Sequence, residues 1–418
     1  MLRADSMSRS LVISFIGITA SLFAAPAALD IEQAPHFYSE RTPRDRFTLL
    51  KKDFENGRIP LDHTSEKAFL VSLLHALQVP VSSQMLVFSN TSLQLRLISP
   101  SNPRALYFNE DMYVGYVPGG RIEIVSLDPE LGAIFYIFDI PRDGQPPRVE
   151  RSDRCMNCHA GPDTQEVPGL TLKSVVPGST GGSLKSFRQE QTGHEIPLSD
   201  RFGGWYVTGG ERIGQHWGNV VGPLSSEGAA VHRILAGQRF NPDRYPLPTS
   251  DVLPQLLHEH QAGFVNRVVG ATYRARTILH EKSGAPAPAD AATLDTLARG
   301  IVRYLLFAGE APLPAGGVDG SAEFKADFLR QRRSSARGES LKDFDLRTRL
   351  FRHRCSYMIY SPVFGGMPPP LKERVMAQLG DALSVEKPHR EFAYLAANEK
   401  RAIRAVLRET LRELPSGW

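Results

Sequence analysis

The sequence predicts an α+β protein with an antiparallel β-rich part in its N-terminal half and a mainly helical C-terminal half. Three observations point there. Short β-rich runs separated by turn residues fill Ser83 to Asp139, long segments of helical period follow residue 250, and a Gly-, Ser- and Pro-rich stretch lies between them. The 418 residues are 41% hydrophobic and 22% charged, which excludes a disordered tail, a collagen-like rod or a coiled coil. A net charge of +4 is too small to indicate a nucleic-acid partner. Three cysteines give no disulfide framework, so stability must come from a buried core.

The first 27 residues read as a signal peptide. Arg3 and Arg9 precede an apolar stretch from Leu11 to Ala25, and the small residues Ala24-Ala25-Pro26-Ala27-Ala28 follow. Ala25 and Ala27 have the spacing of a cleavage site, placing the cut after Ala27, or after Ala28. An uncleaved anchor from Leu11 to Leu29 is the alternative, weakened by Ser14, Gly17, Thr19 and Ser21 within it. The mature protein is therefore expected to be exported, periplasmic or beyond, with no stable membrane span after cleavage.

Residues 43–79 read as helical, with Thr64 or Ser65 capping the segment KAFLVSLLHALQ before Val79-Pro80. The runs MLVFS, ALYF, MYVGYV, RIEIVSL and AIFYIFD then predict an antiparallel sheet or small sandwich, punctuated by Pro100, Asn102-Pro103, Pro118-Gly119-Gly120 and Asp128-Pro129. Residues 28–150 form this first region, residues 151–225 a loop region with possible strands at LTLKSVV and GWYVT, and residues 226–418 the helical region. In the last, LPQLLHEHQAGFVNRVVGATYRARTILHE, DAATLDTLARGIVRYLLFAG, PPLKERVMAQLGDAL and REFAYLAANEKRAIRAVLRETLREL are the helical segments, with SGAPAPAD and EAPLPAGGVDG as linkers.

Two of the three cysteines lie in Cys155-Met156-Asn157-Cys158-His159, the pattern of covalent c-type haem attachment. From this chain's composition the pattern arises by chance in about six of ten thousand such sequences, so it is specific. Ser152 or Asp153 can cap a short helix that Gly161-Pro162 ends. On it Cys155, Cys158 and His159 share a face, so two thiols can add to the vinyl groups of one porphyrin while the imidazole reaches the iron. A thioredoxin-like dithiol lacks the long following helix, and a structural zinc site lacks a second Cys-x-x-Cys. A disulfide across two residues is strained.

The segment resembles the haem motif of c-type cytochromes over about ten residues. That resemblance implies Cys155 and Cys158 as attachment points and His159 as proximal ligand of one haem c. The stretches PVSSQMLVFSNTSLQ, ALYFNEDMYVGYVPGG, DRFGGWYVTG and RCSYMIYSPVF resemble a group of exported bacterial single-haem proteins of unassigned function, over most of the mature chain. This second resemblance carries no reaction.

The sixth ligand separates electron transfer, which suits a filled site, from small-molecule chemistry, which needs an open one. No Met lies between Met156 and Met358, leaving His194, His216, Met358 and Met367 as candidates. His216, in GERIGQHWGN and close in sequence to the haem loop, is a distal candidate, or a loop His bonded to backbone. Met367, in GGMPPP, has the loop-and-proline setting of a distal Met, or caps the next helix. His194 reads as solvated. His258 and His260, at i and i+2, read as helix-surface residues, Cys355 as a buried free thiol, and the eight arginines from Arg330 to Arg354 as a solvated face or a site for propionates or an acidic partner. The leading expectation is electron transfer with a redox partner protein or small-molecule donor or acceptor. The alternative is a peroxidase- or oxidase-type haem enzyme with an open sixth site.

Overall fold

The computed structural model describes residues 29–418 apart from 187–191, 223, 226–227, 230–231, 236, 283–286, 413 and 416–417, so the expected signal peptide lies outside the described residues. The helical stretch 43–79 resolves into two helices. Asp45 caps α1 (Arg46–Glu55) by accepting from the Phe47 and Thr48 N–H groups, and Ser65 caps α2 (Glu66–Ala76) by accepting from Ala68 N–H. Gly57, at φ 65°, turns the chain between them, a conformation that costs a residue with a Cβ.

Strands β1 (Met85–Val87), β2 (Arg104–Phe108), β3 (Met112–Tyr116), β4 (Arg121–Asp128), β5 (Gly132–Asp139) and β6 (Glu150–Arg151) form an antiparallel meander. After β6 a 3-10 turn, Asp153–Cys155, runs directly into α3 (Met156–His159). LTLKSVV contributes only β7 (Val175–Pro177), which pairs with β8 (Ser183–Ser186) away from the main sheet. GWYVT contributes β9 (Trp205–Tyr206), which adds to the free edge of β1 and completes a seven-stranded sheet. The β-rich region is thus one sheet and no sandwich, because helices and not a second sheet cover its faces.

On one face, α1 and α2 bury Phe47, Phe69, Leu70 and Leu73 against Tyr107, Val114 and Ile124. On the other lies α4 (Val252–Glu281), followed by α5 (Pro288–Leu305), α6 (Ala322–Leu329), α7 (Pro362–Gly365), α8 (Pro369–Ala382) and α9 (Ala397–Thr410). The final segment is not one helix, since Arg390–Phe392 is a separate 3-10 turn before α9. One cluster of buried side chains runs from Met85 and Phe135 through Leu256 and Val265 to Val406 and Leu407, so the sheet and the helical half share a core. Among the described residues no helix is long and apolar enough to cross a membrane.

The helix α4 is buried on nearly every side from Val252 to Ala275, as expected of a helix enclosed by other elements. His258 and His260 are therefore interior residues, not surface ones. Their i, i+2 spacing does point them apart, but here one direction meets the sheet and the other meets the bundle.

Candidate functional site

The Cys-x-x-Cys-His segment is tied to the sheet edge where it begins, since Ser152 N–H donates to the Phe135 carbonyl at 2.9 Å. The Ser152 side chain makes no capping bond. Cys155 is half-buried, Cys158 is exposed, and both are free thiols. Burial raises the pKa of the Cys155 thiol, opposed by a hydrogen bond from Ser152.

His159 is fixed more tightly. Its Nδ1 lies 2.9 Å from the carbonyl oxygen of Gly169, and Thr171 Oγ1 stands 3.3 Å away. A carbonyl only accepts, so the hydrogen belongs on Nδ1 and the Nε2 lone pair is left free. Among the described residues no hydrogen bond engages Nε2. Burial pushes the pKa of His159 down to about 4, so the ring is neutral at ordinary pH, as a metal ligand must be. The ring packs against Phe135 at 4.6 Å between centroids.

The loop that carries Gly169 is held from α4. Asn266 Oδ1 accepts from Leu170 N–H at 2.8 Å, and its Nδ2 donates to the Leu170 carbonyl at 2.9 Å and the Asp163 carbonyl at 3.4 Å. One amide on a buried helix thereby positions both walls of the turn around His159.

Beside the motif, part of the sheet face is only half-buried. Residues opposite one another across an antiparallel sheet share a face. One such row is Phe108, Tyr113, Val125 and Phe135; the next is Met85, Leu106, Gly115, Glu123 and Ile137. Within them Leu106, Glu123 and Val125 are only half-buried, as is Arg104, whereas Ala105, Tyr107, Ile122 and Ile124 on the reverse face are fully buried. Arg104 is ion-paired with Glu123 and lies across Gly115, where a Cβ would come within 2.6 Å of its Nη2. Arg104 Nε is buried with no hydrogen-bond partner among the described residues. The result is a face on which half-buried, apolar Leu106 and Val125 flank the Arg104–Glu123 pair.

Across this face from His159 stands His258. Its ring centroid lies 5.4 Å from that of Phe108 and 5.5 Å from that of Tyr113, at the other end of the row that begins with Phe135. Met85, Leu172, Phe202 and Trp205 line a small cavity next to it. Sequence reasoning missed this residue and Arg104 alike. The alternation of β2 marked Arg104 as facing the same side as Leu106, but nothing local says what that side meets.

The sequence-derived distal candidates lie elsewhere. His194 is buried, not solvated: its Nδ1 is 2.7 Å from His260 Nδ1, and its ring stacks between Tyr304 and Phe307. The polar loop around it folds back onto α4 and α5. His216 Nδ1 accepts from Gly218 N–H at 3.0 Å, the backbone-bonded loop arrangement. Met358 is buried in the 3-10 turn Tyr357–Tyr360, and Met367 is buried next to the Gly366 carbonyl that Arg276 binds. None of the four forms a hydrogen bond or ring contact with the motif. Cys355 is a buried free thiol. Six of the eight arginines from Arg330 to Arg354 pair with Asp319, Asp327, Glu339, Asp343 or Glu399, and Arg333 covers the Tyr360 ring. A cleft of about 960 Å³ lies between the start of α2, residues 93–97 and the β3–β4 turn, and no cysteine lines it.

No family model matches the chain, and no curated protein or solved structure matches it either.

Proposed function

We propose that this is an exported monohaem c-type protein, with the porphyrin joined to Cys155 and Cys158 and its iron held by His159 Nε2. The observation that carries the reading is the His159 geometry: a neutral imidazole with Nδ1 tied to the Gly169 carbonyl and Nε2 free, beside two unpaired thiols. Such an outer hydrogen bond fixes the tautomer and ring plane of a ligating histidine.

The residues around the motif fit a flat, largely apolar group with charged edges. Leu106 and Val125 leave a half-buried apolar floor, and the unpartnered Arg104 Nε–H is a donor for a carboxylate. When bound, the haem would supply one-electron redox chemistry at iron. The protein's part is to orient His159, exclude bulk water through Phe135 and α4, and balance charge through Arg104 and Glu123.

Two roles follow from the iron's sixth position: carriage of electrons to a redox partner with that position filled, or small-molecule chemistry of peroxidase or oxidase type with it open. Engagement of His194 with His260, of His216 with Gly218 N–H, and of Met358 and Met367 in the helical core favours the open form. The test is the optical spectrum of the mature protein, ferric and ferrous, with and without carbon monoxide, after denaturing electrophoresis has shown whether haem stays on the chain. Retained haem, lost in Cys155→Ser plus Cys158→Ser, supports attachment. A high-spin spectrum that shifts with carbon monoxide supports the open site, and a low-spin one that does not shift supports an electron carrier. Absence of chain-bound haem in the wild type overturns the proposal.

A further inference from the structure

Helix α4 buries six polar side chains between residues 255 and 266: Gln255, His258, Glu259, His260, Gln261 and Asn266. Five are engaged by neighbouring elements. Gln255 donates to the Tyr206 carbonyl at 2.9 Å, and Glu259 accepts from Gly193 N–H at 2.9 Å. His260 meets Ser356 Oγ at 2.7 Å, and Gln261 accepts from the Tyr113 hydroxyl and donates to the Tyr357 hydroxyl, each at 2.9 Å. Asn266 holds Leu170 as described. His258 is 93% buried, yet neither of its ring nitrogens has a hydrogen-bond partner among the described residues. The same helix also leaves Gln255 Oε1 and Thr272 Oγ1 without a partner among the described residues, but of the six side chains His258 is the one with no hydrogen bond at all. Buried polar groups are almost always paired, so its ring is free for a partner that the chain itself does not provide.

Its position says what that partner is. The row Phe135, Val125, Tyr113, Phe108 sets His159 over β5 and His258 over β3 and β2, on the same face of the sheet. Strands lie about 4.8 Å apart, so the two imidazoles stand roughly 10–14 Å from each other across the half-buried floor at Val125 and Leu106. Two metal–nitrogen bonds of about 2 Å each do not span that separation.

We propose that His258 is the distal-side hydrogen-bond donor to a small, negatively charged ligand held opposite His159, and is not itself an iron ligand. The inference rests on the haem reading and names the group that would meet that reading's small-molecule ligand. Burial drives the pKa of His258 down to about 3, so the ring stays neutral and offers one N–H. Arg104 is the cation whose charge reaches both His258 and His159.

The experiment measures azide binding to the ferric, haem-loaded protein, with carbon monoxide binding to the ferrous protein as a control. His258→Leu should weaken azide about 10- to 100-fold, the scale of a hydrogen bond to a charged group. It should leave the affinity for uncharged carbon monoxide within about threefold, because that ligand gains little from such a donor. His258→Gln, which keeps an N–H and tests the residue if the apolar variant does not fold, should stay within about fivefold of wild type on the same scale. Unchanged azide affinity in His258→Leu overturns the assignment. So does a low-spin wild-type spectrum that becomes high-spin in either variant, since that makes His258 a ligand. In both cases the haem remains on the chain, so the haem reading survives; a wild-type chain without bound haem overturns both.

Discussion

His159 and Gly169 are joined by two hydrogen bonds in opposite senses: Gly169 N–H donates to the His159 carbonyl at 2.9 Å, and the Gly169 carbonyl takes the His159 Nδ1 hydrogen at 2.9 Å. The first closes the backbone of the turn and the second sets the ring. Together they make the orientation of the imidazole a property of the loop's backbone, not of a rotatable side chain.

Substituting Gly169 tests that link. An added Cβ would lie 2.4 Å from Asn266 Oδ1 and 3.0 Å from Thr164 Cβ, so Gly169→Ala must displace the loop. Overpacking of this kind costs about 1–3 kcal/mol. Covalent attachment, which needs the cysteines, is expected to survive, while the ferric spectrum and the reduction potential change as His159 loses its fixed partner. Titration of the potential in the wild type and the variant checks this; identical potentials would mean the ring is held by something else.

Asn266→Ala removes the clamp from the other side. The buried Leu170 N–H and carbonyl lose their partner, and each stranded group costs about 1–3 kcal/mol. Urea unfolding should therefore show a loss of roughly 2–4 kcal/mol with an unchanged slope, much more than the ~0.5 kcal/mol of an exposed helix-surface substitution.

Glu310 predicts a stability that declines with alkali. Its carboxylate accepts from Leu350 N–H at 3.1 Å, yet burial pushes its pKa from the ordinary 4.5 up to about 7. The folded state thus holds the proton more tightly than the unfolded chain. Its contribution is fully present below pH 4.5 and is lost as pH rises through 7. Glu310→Gln should remove that decline, being more stable than wild type by on the order of 2 kcal/mol at pH 8.5 and close to it at pH 5. Urea midpoints at the two pH values decide it; parallel curves would assign the decline to other groups.

Thiol counting separates the haem reading from its rivals. Cys355 is fully buried, and burial pushes its pKa up to about 12, so a maleimide should not reach it in the native protein at pH 7. With haem attached through Cys155 and Cys158, unfolding in urea after treatment with a disulfide reductant, which opens a disulfide but not a thioether, should still release one reactive thiol, absent in Cys355→Ala. Three thiols after unfolding would show that neither motif cysteine carries a thioether.

Much of the molecule could be read one segment at a time. The alternation in RIEIVSL and AIFYIFD produces β4 and β5, Ser65 caps α2, and the Cys155-x-x-Cys158-His159 spacing puts three reactive groups on one turn. These depend on neighbours within about four residues, and such neighbours are fixed by the sequence alone. Where the reading failed, the deciding contact was distant. The i, i+2 spacing of His258 and His260 reads as a helix surface, yet both directions from α4 lead inward because the sheet packs on one side and α5 with the 3-10 turn at Tyr357 on the other.

The sequence by itself determined the α+β order, the Ser65 cap of α2 and the reactive triplet Cys155, Cys158 and His159. Only the tertiary structure decided that Gly169 orients His159, that Arg104 lies across Gly115, and that His258 and not His216 or Met367 stands across the half-buried sheet face. The reason is register. Which side chains face each other across a sheet or from a helix onto it depends on pairings between remote segments, and a shift of one residue would send every one of them to the opposite face.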